Sequence, residues 1–208
     1  MDATPTMVTP SAQQETFSKA ATRTIVLAGN PNCGKTTLFN ALTGARQHVG
    51  NWPGVTVERK AGDFRFHGVH FELVDLPGTY SLDVTDESLS LDEQIARDYV
   101  ANREADLIVN IVDAANSERN LYLTAQLIEM RVPVVVALNM MDVAEERGIR
   151  IDIETLSEKL GCPVVPIVAT KLAEVRPPVF VGSSPARQFY VVNLQGLPSD
   201  DDGAEKSV

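Results

Sequence analysis

A chain of 208 residues with 28 acidic and 18 basic side chains, formal net charge −10, has the length of one globular domain with ragged ends. A hydrophobic share of 44% beside 22% charged residues suits a fold that buries a real core. The acidic balance argues against a nucleic-acid-binding body and against docking on anionic lipid, but leaves open a phosphate ligand held by backbone N–H groups and one lysine.

Residues 1–22 are rich in Thr, Ser, Gln and Ala and lack an apolar core segment, so they read as a disordered leader and not a signal peptide. Ile25–Ala28 opens a series of short apolar runs continued by Phe71–Val74, Leu107–Val112, Val134–Leu138 and Val164–Val168. Runs of this kind suit strands buried on both faces of a parallel sheet. None approaches the roughly 18 residues that a membrane span needs.

Directly after the first run stands Gly29-Asn30-Pro31-Asn32-Cys33-Gly34-Lys35-Thr36, a Gly-x4-Gly-Lys-Thr phosphate loop followed by Thr37. The glycines permit the angles that turn successive N–H groups around phosphates. Lys35 is expected against the β- and γ-phosphates, and the Thr36 hydroxyl on magnesium. Cys33 reads either as a reactive thiol in the loop or as a small residue that fits there; with Cys162 it makes neither a disulfide framework nor a zinc pattern. Lys35–Thr43 is a helix ending at Gly44.

The loop Gly50-Asn51-Trp52-Pro53-Gly54-Val55-Thr56 can move, and Thr56 is placed to complete a magnesium shell when a γ-phosphate is present. Trp52 serves equally well as a packing residue. Val57–Phe66, with interleaved charges, reads as an exposed antiparallel edge strand. His48, His67 and His70 show no metal spacing and read as solvated or structural. Asp75-Leu76-Pro77-Gly78 closes the second apolar run: the aspartate is a magnesium ligand through water, and Gly78 offers its N–H to the γ-phosphate.

Ser90 with Glu93 forms a capping box ahead of a helix whose apolar side carries Leu91, Ile95 and Tyr99. Asn139-Met140-Met141-Asp142 ends the fourth run; a buried Asp142 would accept from guanine N1–H and the 2-amino group and reject adenine, which has neither donor. A helix-capping aspartate is the alternative there. Asp152 caps a helix with Ile153, Leu156 and Leu160 on one side and Gly161 at its end. Val168-Ala169-Thr170 sits where a backbone N–H would meet guanine O6. The alternation of strands and helices gives an α/β doubly wound fold: six strands, mostly parallel, one antiparallel edge strand, helices on both faces.

With these motifs in hand, the chain resembles the cytosolic G domain of the FeoB-type ferrous iron transporters, P-loop GTPases of Ras-like fold, over roughly residues 23–171. The residues that carry this are Gly29–Asn40, Leu42–Gln47, Val49–Lys60, Leu73–Leu82 and Asn139–Asp142, above all the loop Gly50–Lys60. The resemblance implies a magnesium-dependent GTPase acting as a switch for iron transport. Its partners would be guanine nucleotide and a membrane iron-transport subunit or a second copy, without nucleic acid. It would be cytoplasmic, or peripheral at the inner membrane through a partner. Asn32, with backbone carbonyls near Gly50 and Trp52, would hold a potassium ion in place of an arginine finger. Asn32, Lys35, Thr56 and Gly78 form the implied catalytic set. Thr79 stands where Ras-like enzymes carry a water-orienting glutamine and is too short for that work, so turnover would be slow.

Residues 172–208 depart from the family pattern. Pro177 and Pro178 are incompatible with a helix interior, so the last helix of the fold is expected to be missing and the product truncated or rearranged. One sheet face would then be covered by Phe189–Leu194, covered by a partner, or left bare. A non-catalytic interaction module and an Era-like ribosome-assembly GTPase are the competing functional readings.

Overall fold

The computed structural model describes residues 22–44, 46–66, 69–83, 90–102, 104–171, 179–181 and 190–192. Strands β1 (Arg23–Gly29), β2 (Gln47–Asn51), β3 (Glu58–Phe66), β4 (Val69–Asp75), β5 (Leu107–Asp113), β6 (Val134–Asn139) and β7 (Val164–Pro166) form one sheet in the order β2-β3-β4-β1-β5-β6-β7. From β4 to β7 every pairing is parallel. β3 alone runs against its neighbours, antiparallel to both β2 and β4.

Helices α1 (Lys35–Thr43), α2 (Leu91–Ala101), α3 (Ser117–Glu129), α4 (Met141–Glu146) and α5 (Ile153–Leu160) fill the connections. Odd and even residues of the central strands face opposite ways. Ile25 and Leu27 join α1's Leu38 and Phe39 on one side, while Val26 and Ala28 join Ala96, Val100, Leu123 and Leu127 of α2 and α3 on the other. Further along that second side, Val136 and Leu138 meet α4 and α5. Double-sided burial is why these strands read as continuous apolar runs. Truncating a fully buried anchor such as Phe39 to alanine should cost about 3–5 kcal/mol.

Three expectations need correction. The sheet has seven strands, because Gln47–Asn51 pairs along β3. β3 is antiparallel as expected but lies one place in from the edge, which β2 occupies. The last parallel strand stops at Pro166, although Ile167 N still donates to Leu138 O at 2.8 Å. Among the described residues α1 is the only α-helix on its side of the sheet, joined there by the single 3-10 turn Ala169–Lys171. Val179–Val181 and Tyr190–Val192 form a separate antiparallel pair, β8 and β9. His67, Pro177, Pro178, Phe189, Asn193 and Leu194, and the leader before Thr22, lie outside the described residues.

The strand register also builds something that spacing along the chain hides. Asp63 receives His48 Nε2 at 3.3 Å from β2 and His70 Nε2 at 3.1 Å from β4. The antiparallel ladders thus bring together two histidines that are far apart in sequence.

Candidate nucleotide site

β1 and β5 are neighbours whose following helices leave in opposite directions along the sheet, and ligands of such sheets bind beyond the strand ends at that point. The phosphate loop leaves β1 there. Gly29 has φ 152°, and a Cβ on it would lie 2.6 Å from Ile111 O and 2.7 Å from Cys33 Sγ. Asn32 and Gly34 adopt φ 64° and 99°. A side chain on Gly34 would run into the Asn139 amide. Only glycine fits at 29 and 34, because left-handed backbone and tight neighbours coincide. No side chain caps α1, which leaves its first N–H groups without a side-chain acceptor at the end of the loop.

Cys33 is buried, and burial pushes its thiol up against the opposing pull of Lys35. The reading as a small packing residue fits; a reactive thiolate does not. Gly78 lies against the loop: a Cβ there would come 3.1 Å from Lys35 Nζ and 3.2 Å from Pro31 Cα. Leu76 N donates to Leu27 O at 3.0 Å and Thr79 N to Gly29 O at 3.3 Å, so the Asp-x-x-Gly turn is stitched to β1. Asp75, the last residue of β4, is buried with Oδ1 lacking a partner. Burial lifts its carboxyl to about 6, with Lys35 and Lys60 pulling the other way. A buried, partnerless carboxylate oxygen close to the loop lysine Lys35 suits a hard cation such as magnesium.

At the other end Asn139 braces two loops. Its Nδ2 donates to Cys33 O at 2.9 Å, and its Oδ1 accepts from Ala169 N at 2.9 Å. Asn139 therefore ties the phosphate loop to Val168–Thr170. Met140 takes φ 60° to turn the chain into α4, with Met141 packing on the third core cluster. Asp142 is half-exposed, not buried as expected, and sits in the first turn of α4, not at its cap. It accepts from Val143 N at 3.0 Å and lies 3.7 Å from Lys171 Nζ.

The moving loop is only partly brought in. Thr56 is exposed, and among the described residues no hydrogen bond joins it to the phosphate loop. Val55 N donates to Trp52 O at 3.2 Å, and Gly50 pairs with Arg59 in the β2–β3 ladder. Trp52 is anchored instead: buried, edge-on to Tyr99 at 5.3 Å, with the Arg59 guanidinium 5.4 Å from its ring centroid.

A hollow of about 760 Å³ lies on the outer lip of the phosphate loop, bounded by Asn30, Pro31, Asn32, Cys33, Tyr80, the segment 113–120 and Ile149. Lys35, Asp75 and Asp142 do not line it, so it adjoins the cradle without being the cradle. Asn30 is buried there with both amide atoms unpartnered. Sequence reasoning missed this side. The usable signal was Asp113-Ala114-Ala115-Asn116 at the end of a strand adjacent to the loop-bearing one.

Comparison with known proteins places this arrangement. The profile of the family described as ferrous iron transport protein B matches residues 23–177. The chain belongs to that family. It is 62% identical over 148 residues to the Fe(2+) transporter FeoB of Salmonella typhimurium, covering 71% of this chain and 19% of the relative. It therefore spans about a fifth of the length of the curated FeoB relatives it matches. The cytosolic domain of L. pneumophila FeoB superimposes with a TM-score of 0.69 at 60% identity, covering 71% of this chain and 63% of that one. The cytosolic domain of the T. maritima FeoB iron transporter, in a GDP form, gives 0.69 at 45% identity, covering 75% and 61%. The fold is the P-loop GTPase fold of FeoB G domains, and the Era-like alternative falls away.

Proposed function

We propose that the chain binds GTP and GDP in the cradle at the ends of β1, β4 and β6, and hydrolyses GTP slowly with magnesium. In doing so it would switch ferrous iron passage through a longer transporter from the cytoplasmic side. The observation that carries this reading is the buried, partnerless oxygen of Asp75 held near Lys35 and the Gly78 turn. Asp75 and the Thr36 hydroxyl would hold magnesium, which neutralises charge on the β- and γ-phosphate oxygens. The loop amides from Asn32 to Thr37 cradle the phosphates, and Lys35 adds a point charge. Gly78 N–H meets the γ-phosphate. Asp142, steadied by Lys171 and Val143 N, accepts from the guanine edge, while Ala169 and Thr170 flank O6.

Thr79 supports slow turnover. Its hydroxyl donates to Ser81 O at 2.7 Å and accepts from Ser81 N at 3.2 Å, which occupies it away from any attacking water. Water alignment would then fall to backbone around Gly54, Val55 and Thr56 once that loop closes. The GDP form of the T. maritima relative supports the choice of nucleotide, and the cytosolic L. pneumophila domain supports the compartment.

Calorimetric titration with GTP, GDP and ATP, with and without magnesium, tests the reading. Asp142→Asn should lose about a hundred-fold in GTP affinity and gain xanthosine nucleotides, because an amide donor then meets the xanthine carbonyl. Equal affinity for ATP and GTP in the unaltered chain would remove the guanine assignment. Turnover in potassium against sodium buffer addresses Asn32: equal rates would discard the potassium ion and leave the switch intact.

A further inference from the structure

The turn after Gly78 is gripped from outside the nucleotide site by one face of α3. Gln126 Oε1 accepts from Leu82 N at 2.8 Å, and Gln126 Nε2 donates to Ser81 Oγ at 3.0 Å. One side-chain amide thus holds two groups of the turn at once. Arg119 and Gln126 lie two helical turns apart on α3 and so share a face. The Arg119 guanidinium lies 4.0 Å from the centroid of the Tyr80 ring, and Tyr80 follows Thr79 directly. Among the described residues Arg119 has no ion pair, so this stacking is its one ring or charge contact there.

α3 is itself immobilised against the sheet. Leu123 and Leu127 are fully buried, Asn110 Nδ2 donates to Thr124 Oγ1 at 2.7 Å within the core, and Asn120 Oδ1 receives Asp113 N at 3.4 Å. A fixed helix therefore contacts a segment that begins at Gly78, where a Cβ would meet Lys35 Nζ and Pro31 Cα. A turn that must present Gly78 N–H to a phosphate needs its far end fixed, because a loop free at residues 80–82 spreads over many positions of Gly78.

We propose that Gln126 and Arg119 are positioning residues for GTP hydrolysis, acting as a latch that sets where the Asp-x-x-Gly turn meets the γ-phosphate. This rests on the GTPase reading above. Neither residue touches nucleotide; both act through residues 80–82. Gln126 carries the larger share because its two hydrogen bonds are directional, while the exposed Arg119–Tyr80 contact is worth less.

The test compares the full chain with Gln126→Met, which keeps the volume and removes both hydrogen bonds, and Gln126→Glu, which keeps the acceptor for Leu82 N. Gln126→Met should lower kcat about five-fold with KM and GDP affinity within about two-fold. Gln126→Glu should restore most of the rate, and Arg119→Ala should fall between them. Hydrogen exchange of the Leu82 amide in the GDP-loaded protein gives a readout independent of turnover: faster in Gln126→Met, protected in Gln126→Glu. Unchanged kcat and Leu82 exchange in Gln126→Met would overturn the latch, as would a kcat loss matched by equal losses of GDP affinity and thermal stability. An unaltered chain that neither binds nor hydrolyses GTP would instead fail the underlying reading, while Leu82 exchange would still report on the latch.

Discussion

In the metal-free chain, burial holds the Asp75 carboxyl at about 6 against an ordinary 3.8. Between those values the folded chain keeps a proton that the unfolded chain has released. Stability therefore declines as pH rises from about 3.8 to about 6, then stays at the lower level. A shift of that size corresponds to about 3 kcal/mol spent on keeping a charge at the site proposed for magnesium. Asp75→Asn removes the penalty and the ligand together. Without nucleotide or magnesium it should melt higher than the unaltered chain at neutral pH and lose the slope between about pH 4 and 6. It should also lose magnesium-dependent GTP affinity. A lower melting point at neutral pH would refute the buried-charge account. The positions of Gly29, Gly34, Lys35 and Asp75 were legible from their motifs, since each obeys a local constraint written in neighbouring residues. The bracing by Asn139, the partner of Asp142 and the unpaired amide of Asn30 were not, because each depends on a residue distant in sequence.

Helix ends behaved similarly. Ser90 accepts from Glu93 N at 3.3 Å while Glu93 Oε2 receives Ser90 N at 3.0 Å, the reciprocal pair that the spacing announces. Asp152 accepts from Thr155 N at 3.0 Å, and Gly44 and Gly161 close α1 and α5 at φ 56° and 68°. Caps are legible because every participant lies within one turn. α2 begins just beyond the turn that α3 grips, so its first turn should be sensitive to the cap. Ser90→Ala should destabilise the fold by about 1 kcal/mol, read as a lower denaturant midpoint with unchanged slope. No change in midpoint would mean that the box contributes nothing. Strands were harder. Gln47-His48-Val49-Gly50-Asn51 has no apolar run to announce β2, and it forms because β3 offers a free edge. The charges of β3 suggested an edge, but they sit over a core that includes Phe64, stacked on Phe71 of β4 at 5.0 Å.

At the level of the whole molecule, sheet order puts the phosphate loop, Asp75 and the Asn139–Asp142 segment at the ends of adjacent or near-adjacent strands. The order itself was not readable from the chain, although alternation restricted it to doubly wound arrangements. No helix among the described residues is long and apolar enough to cross a membrane.

The chain contains one tryptophan, and it is the residue wedged between Tyr99 and Arg59 at the root of the loop that bears Thr56. Its indole is buried, lies beside a single guanidinium, and is tethered to a segment expected to travel when GTP replaces GDP. The protein thus carries a built-in optical gauge. Emission intensity and wavelength should step between the two nucleotide states without any label. A spectrum identical in both would mean that the loop pivots beyond Pro53 and leaves its root in place.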